Sequence, residues 1–142
     1  MQDINNPLIK AYYDVLVQGS YPVYEGEEPD DVADKIYIVI SNVSSSDSST
    51  KSSSDVDAQI QVTINSWEEK FNNSKALNTA ASEVLFSIKP TPNAVLDLSG
   101  DNMQMLNLFV QNDRTQDYGH LAGRVYISRQ IIFGQNIFIN NN

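Results

Sequence analysis

With 142 residues and a net charge of −9 (pI near 4.3), the chain can bury one domain's core but is too acidic to hold a phosphate backbone on a broad basic surface. It has no cysteine, which excludes a disulfide framework and a thiolate metal site. Its apolar share is 41%, and no run approaches the roughly 18 consecutive apolar residues of a membrane-spanning helix, so no membrane partner is expected.

The start, Met1 to Asn6, shows neither the basic region nor the apolar run of a secretory leader, and the chain is expected to be made and assembled in a cytoplasm. Asn6 and Pro7 predict a helix start, Asn as cap and Pro at the first helical position. Leu8, Ile9, Tyr12, Val15 and Leu16 follow as one apolar stripe, and Gly19 is the expected left-handed stop. The segment 21–24 reads as a short extended piece that Pro22 confines to a sheet edge or a lead-in. Glu25, Glu27, Glu28, Asp30, Asp31 and Asp34 could offer oxygens to a calcium or magnesium ion. Their spacing matches no EF-hand loop, so the stretch is read as a solvated acidic turn, with no metal and no cofactor expected.

Residues 35–67 predict a long hairpin. One arm runs from Lys35 to Asn42 and the other from Val56 to Ser66, closed by Trp67. In the second arm Val56, Ala58, Ile60, Val62 and Ile64 alternate with Asp57, Gln59, Gln61, Thr63 and Asn65, the period of a half-buried antiparallel strand. Between the arms, 44–54 is a Ser-rich exposed tip with almost nothing to bury. Ser74 then caps a helix from Lys75 to about Ile88 with Leu77, Ala80, Ala81, Val84, Leu85 and Ile88 on one face, ended by Pro90 and Pro92. A strand is expected over 102–111 with Leu106, Leu108 and Val110 sharing a face. A turn region over 113–123 and a strand from Arg124 to about Phe133 follow. The remainder, 134–142, reads as a C-terminal tail bearing an apolar Ile137, Phe138 and Ile139. The order gives a single domain over 1–142 of α+β class, a mostly antiparallel sheet with a long β-hairpin and two helices packed on it.

Chemistry is sparse. Asp113, Asp117 and His120 on one loop would suit a small metal-dependent hydrolase, but one histidine and two aspartates are also ordinary turn composition. The glycines are scattered, which leaves no phosphate-cradling loop, and no serine sits in a nucleophile elbow. Tyr12, Tyr13, Tyr21, Tyr24 and Tyr37 are read as core and interface groups, because stacking on nucleic acid suits so acidic a chain poorly. A Ser-rich tip used as a surface adhesin was the remaining binding-module reading, and the absence of a leader weighs against it.

The succession of an N-terminal helix, the Tyr21–Tyr24 segment, an acidic loop and the Tyr37–Ile40 strand resembles the tail-completion (tail-terminator) and neck ring proteins of tailed bacteriophages. The long polar hairpin ending in Trp67, the helix to Ile88, and a last hairpin turning at Asp117 to His120 extend the likeness over most of 7–133. The resemblance implies a non-catalytic virion protein, assembled in the host cytoplasm as a hexameric or dodecameric ring at the head–tail junction. It would join the tail to the portal or connector and let DNA pass its bore without specific binding. A collar or adaptor ring of a short-tailed phage is the variant of that reading. The expected partner contacts are Ser44, Ser45, Ser46, Asp47, Lys51 and Ser54 at the hairpin tip, and Ile137, Phe138 and Ile139 in the tail.

Overall fold

The computed structural model describes residues 4–26, 35–47, 55–68, 75–121 and 123–139. Helix α1 (Asn5–Leu16) exists because Leu8, Tyr12 and Leu16 recur every fourth residue and are buried together. It begins before the expected cap: Ile4 precedes it, without a side-chain bond, and Asn6 lies inside the first turn. Pro7 is harmless there, since the first i to i−4 bond runs from the Leu8 amide to the Ile4 carbonyl (3.0 Å). Nor does Gly19 take the left-handed conformation expected of a stop; the glycines at positive φ are Gly26, Gly119 and Gly123. The helix instead closes through a right-handed Val17, whose amide reaches the Tyr13 carbonyl.

Helix α2 (Lys75–Ile88) buries Leu77, Ala80, Ala81, Val84 and Ile88. Two alanines in the middle of that face leave no side chain long enough to hold the helix off the sheet. Both helices lie on one face of a five-stranded sheet in the order β1-β2-β3-β5-β4: β1 Val23–Glu25, β2 Ile36–Asp47, β3 Asp55–Glu68, β4 Met103–Leu121 and β5 Arg124–Ile139. Only β1 against β2 is parallel; the other pairs are antiparallel. The fold is thus α+β with a mostly antiparallel sheet, and β1 is the short edge piece that Pro22 foretold.

The helix-covered face carries Ile38 and Ile40 of β2, Ile60, Val62 and Ile64 of β3, and Ile131, Phe133 and Ile137 of β5. Each such side chain contributes about 1.5–3 kcal/mol when fully buried, so this layer is where the sheet and helices gain their stability. One polar pair sits within it. The Tyr12 hydroxyl donates to Gln135 Oε1 (2.5 Å), and the Gln135 amide donates to the Ala58 carbonyl (2.8 Å).

Three boundaries differ from the sequence reading. The first arm of the hairpin runs to Asp47, because a register shift at Val43 lets Ser44, Ser45, Ser46 and Asp47 pair with Gln59 back to Val56. Strand β4 continues through the expected turn region to Leu121, paired with β5 throughout. A register shift after Met105 changes which side chains face the core: Met103, Met105 and Leu108 are buried and Leu106 is exposed, while Val110 shares the side of Leu108 but is also exposed. Finally, β5 runs past Phe133 to Ile139. Ile137 and Ile139 fall on its helix-facing side and are fully buried.

Candidate interaction surfaces

The hydrolase reading needs Asp113, Asp117 and His120 to converge. Asp113 is instead gripped by Arg129, whose Nε and Nη2 donate to its two carboxylate oxygens at 2.8 and 2.6 Å. That pairing raises the already high pKa of the guanidinium. Asp117 accepts the Gly119 amide (2.7 Å) and so shapes the strand end. The two aspartates lie opposite Ile131 and Ile127 on one face of β4, about 13 Å apart along the strand at 3.3 Å per residue. Metal ligands share a point about 2–2.6 Å away, so the spacing separates the two carboxylates. The His120 side chain lies outside the described residues. Among the described residues no cluster of three or more acidic, histidine or cysteine side chains could hold an ion.

A concavity of about 520 Å³ lies between the 95–99 segment, the start of β4 and Phe138. Its one carboxylate, Asp97, is turned onto its own loop: hydrogen bonds from Ser99, one of them from its amide at 2.9 Å, hold its pKa below the usual carboxylate range. The lining is otherwise mostly apolar, with no converging acid and base.

The sheet face away from the helices is a field of amides. Gln59 donates to Gln111 Oε1 (2.5 Å), Arg114 donates to Gln130 Oε1 (2.8 Å), and the Gln130 amide reaches Gln116 Oε1 (3.4 Å). At one end this face turns aromatic. Trp67 lies opposite Tyr126, with the Arg124 guanidinium 3.8 Å and the Lys35 ammonium 5.7 Å from its ring centroid, and Tyr24 meets Tyr37 edge-on at 6.1 Å. The tyrosines thus serve as packing groups.

The tip residues are brought into the hairpin ladder. Ser44, Ser45 and Ser46 are exposed strand residues, and the Ser44 hydroxyl donates to Gln59 Oε1 (3.0 Å). Asp47 is in the strand, but its side chain lies outside the described residues, as do Lys51 and Ser54. Of the three tail residues, Phe138 alone keeps partial exposure, on the open face opposite Gln104.

No protein-family model matches the sequence, and no curated protein does. The match is one of shape. A chain in the virion of a native gene transfer agent particle superposes with a TM-score of 0.69 at 14% sequence identity, over 92% of this chain and 94% of that one. A virion chain has this fold. The match is nearly end to end in both chains, so it concerns the whole arrangement of sheet and helices and not a shared hairpin.

What sequence reasoning missed is the state of the sheet edges. Among the described residues, strand β1 covers β2 only at Ile38–Ile40, and β4 has a single partner along its 19 residues. The signal was available in part: Gln111 to Asp117 is polar on both alternating faces, which suits a strand wet on both sides as well as it suits a turn.

Proposed function

We propose that this protein is a non-catalytic virion structural protein that assembles as a homo-oligomeric ring at the head–tail junction. In this reading it completes the tail, contacts the portal or connector and the tail proteins, and lets DNA through without sequence-specific contacts. The observation that supports it is the end-to-end likeness in fold to a chain of a gene transfer agent virion. One physical feature agrees with it: the net charge of −9 repels a passing phosphate backbone. Ser44, Ser45, Ser46 and Phe138 are the earlier contact candidates that remain on the surface; Ile137 and Ile139 serve the subunit's own core.

The test is the mass of the purified full chain by size exclusion with light scattering, followed by electron microscopy of the peak. Six or twelve copies in an annulus support the ring. A monomer at every concentration up to the millimolar range overturns it.

A further inference from the structure

We propose that the open edge of β4 over residues 109–117 receives the β2 arm Ser41–Asp47 of a second copy, so that the sheet continues from subunit to subunit. This inference rests on the ring reading above and names the surface that would build it.

The edge is not uniformly free. Its first part is covered: the Met103 amide bonds to the Leu98 carbonyl, the Leu96 amide reaches Met105 Sδ, and Lys89 Nζ donates to the Leu108 carbonyl at 2.6 Å. Beyond Leu108 that cover stops, and residues 109–117 are all exposed. A helix stripe runs beside them. Asn78 accepts from Arg129, the partner of Asp113, while Lys89 reaches Leu108. Val110 faces the helix side opposite Phe133 and is 41% exposed, an apolar side chain on a strand that has one partner among the described residues. Natural edges are usually short, charged or covered; this one carries Asp113, Arg114 and Asp117 but is long, and no described strand covers it over nine residues.

The occupant follows from the rest of the sheet. The β2 arm beyond Ile40 is the matching edge, uncovered among the described residues: seven residues, small and uncharged as far as Ser46, with Val43 45% exposed. Both edges are close to neutral in a strongly acidic molecule, because Asp113 is paired with Arg129 and the charge of Arg114 offsets that of Asp117. Direction also agrees. Strands β2, β3, β5 and β4 alternate, so β2 and β4 run oppositely, and a copy added in the same orientation meets its neighbour antiparallel. Through the ladder Ser44 is level with Phe109, whereas the free β4 stretch centres on Asp113. That stagger of about four residues is the kind a closing sheet requires. Area favours a ring over a pair. A strip about 30 Å long and 10 Å deep gives about 300 Å² per side, against about 800 Å² per partner in a stable two-body complex. Using both edges of every copy in a closed ring doubles the burial per subunit and leaves no free end.

The experiment compares the full-length chain with two surface variants by light scattering, with far-UV circular dichroism to confirm folding. Val110→Lys blocks the β4 edge, and Val43→Lys blocks the arm. Each variant should be folded and monomeric. Mixed in equal amounts they should form no ring and, at high concentration, at most a weak species of two copies, because one retains an intact arm and the other an intact edge. A wild-type ring that both variants keep overturns the edge assignment and leaves the ring standing. A wild-type monomer overturns both. A mixture that grows beyond two copies shows that the contact is not arm to edge.

Discussion

Burying Tyr12 gives the subunit an alkaline limit. Its hydroxyl has no exposure, donates to Gln135, and its ring packs against Phe133 at 5.7 Å. Burial pushes its pKa far above the ordinary tyrosine value, since the phenolate would have to form without water. The sign follows directly. Above about pH 10 the unfolded chain releases this proton and the native one retains it, so stability is full below pH 10 and falls as pH rises beyond it. Tyr12→Phe removes this contribution but leaves Gln135 Oε1 without a donor, which costs about 1–3 kcal/mol at neutral pH. Urea unfolding at pH 7 and pH 11 should show the variant weaker at pH 7 and with a smaller drop between the two. Equal drops would place the alkaline sensitivity on the other tyrosines. The Asp113–Arg129 pair is a weaker matter: it is bidentate but about a quarter exposed, so its removal should cost under about 1 kcal/mol and less in high salt.

Elements differ in how far one chain's residues declare them. Helix α2 and strand β3 were legible because each has a dry face and a wet face, and Pro90 closes the helix. The close fit of α2 is a testable consequence: Ala81→Leu forces the helix off β3 and should cost about 1–3 kcal/mol, read as a lower urea midpoint. Strand β4 was legible only to Val110. Past that point neither face is buried, so no apolar alternation exists to mark it, and the hydrogen-bonded ladder to β5 that makes it a strand leaves no trace in its own side chains. The register shift after Met105 also breaks the period of two, which is why Leu106 does not share the helix-facing side of Leu108 and Val110, whereas Met103 and Met105 do. At the hairpin, the same effect at Val43 carried the strand into the serines. Of the expected contact residues, Ser44 to Ser46 were found exposed as anticipated but on a strand, and Ile137 and Ile139 proved to be core, since an apolar triplet reads alike in a tail and in a buried strand end. The connection over 48–54 can be tested apart from the strands: replacing it by Asn-Gly should leave the circular dichroism spectrum and thermal midpoint within a degree or two. If the tip touches a partner protein and not a second copy, this variant keeps its self-assembly and loses only particle formation.

For the whole molecule, charge and assembly pull in opposite directions. Nine net negative charges per copy repel one another wherever copies gather, whereas the contacts available at the sheet edges are backbone hydrogen bonds and the apolar side chains Val110 and Val43. Salt affects these two terms differently. Raising ionic strength from 0.01 to 0.1 M shortens the screening length from about 30 Å to about 10 Å, which weakens repulsion between the bodies of neighbouring subunits. Hydrogen bonds and apolar contacts at the edge lose little over the same range. Self-association of this chain should therefore strengthen with added salt, and the concentration for half-assembly, followed by light scattering, should fall between 20 and 300 mM sodium chloride. An interface held by ion pairs behaves in the reverse way, because screening removes its attraction first. The direction of the salt effect thus separates an edge-to-edge sheet from a charge-matched contact without any mutation. Weaker association at 300 mM would point to the basic end of the sheet, where Lys35 and Arg124 flank Trp67, as the surface that meets its neighbour.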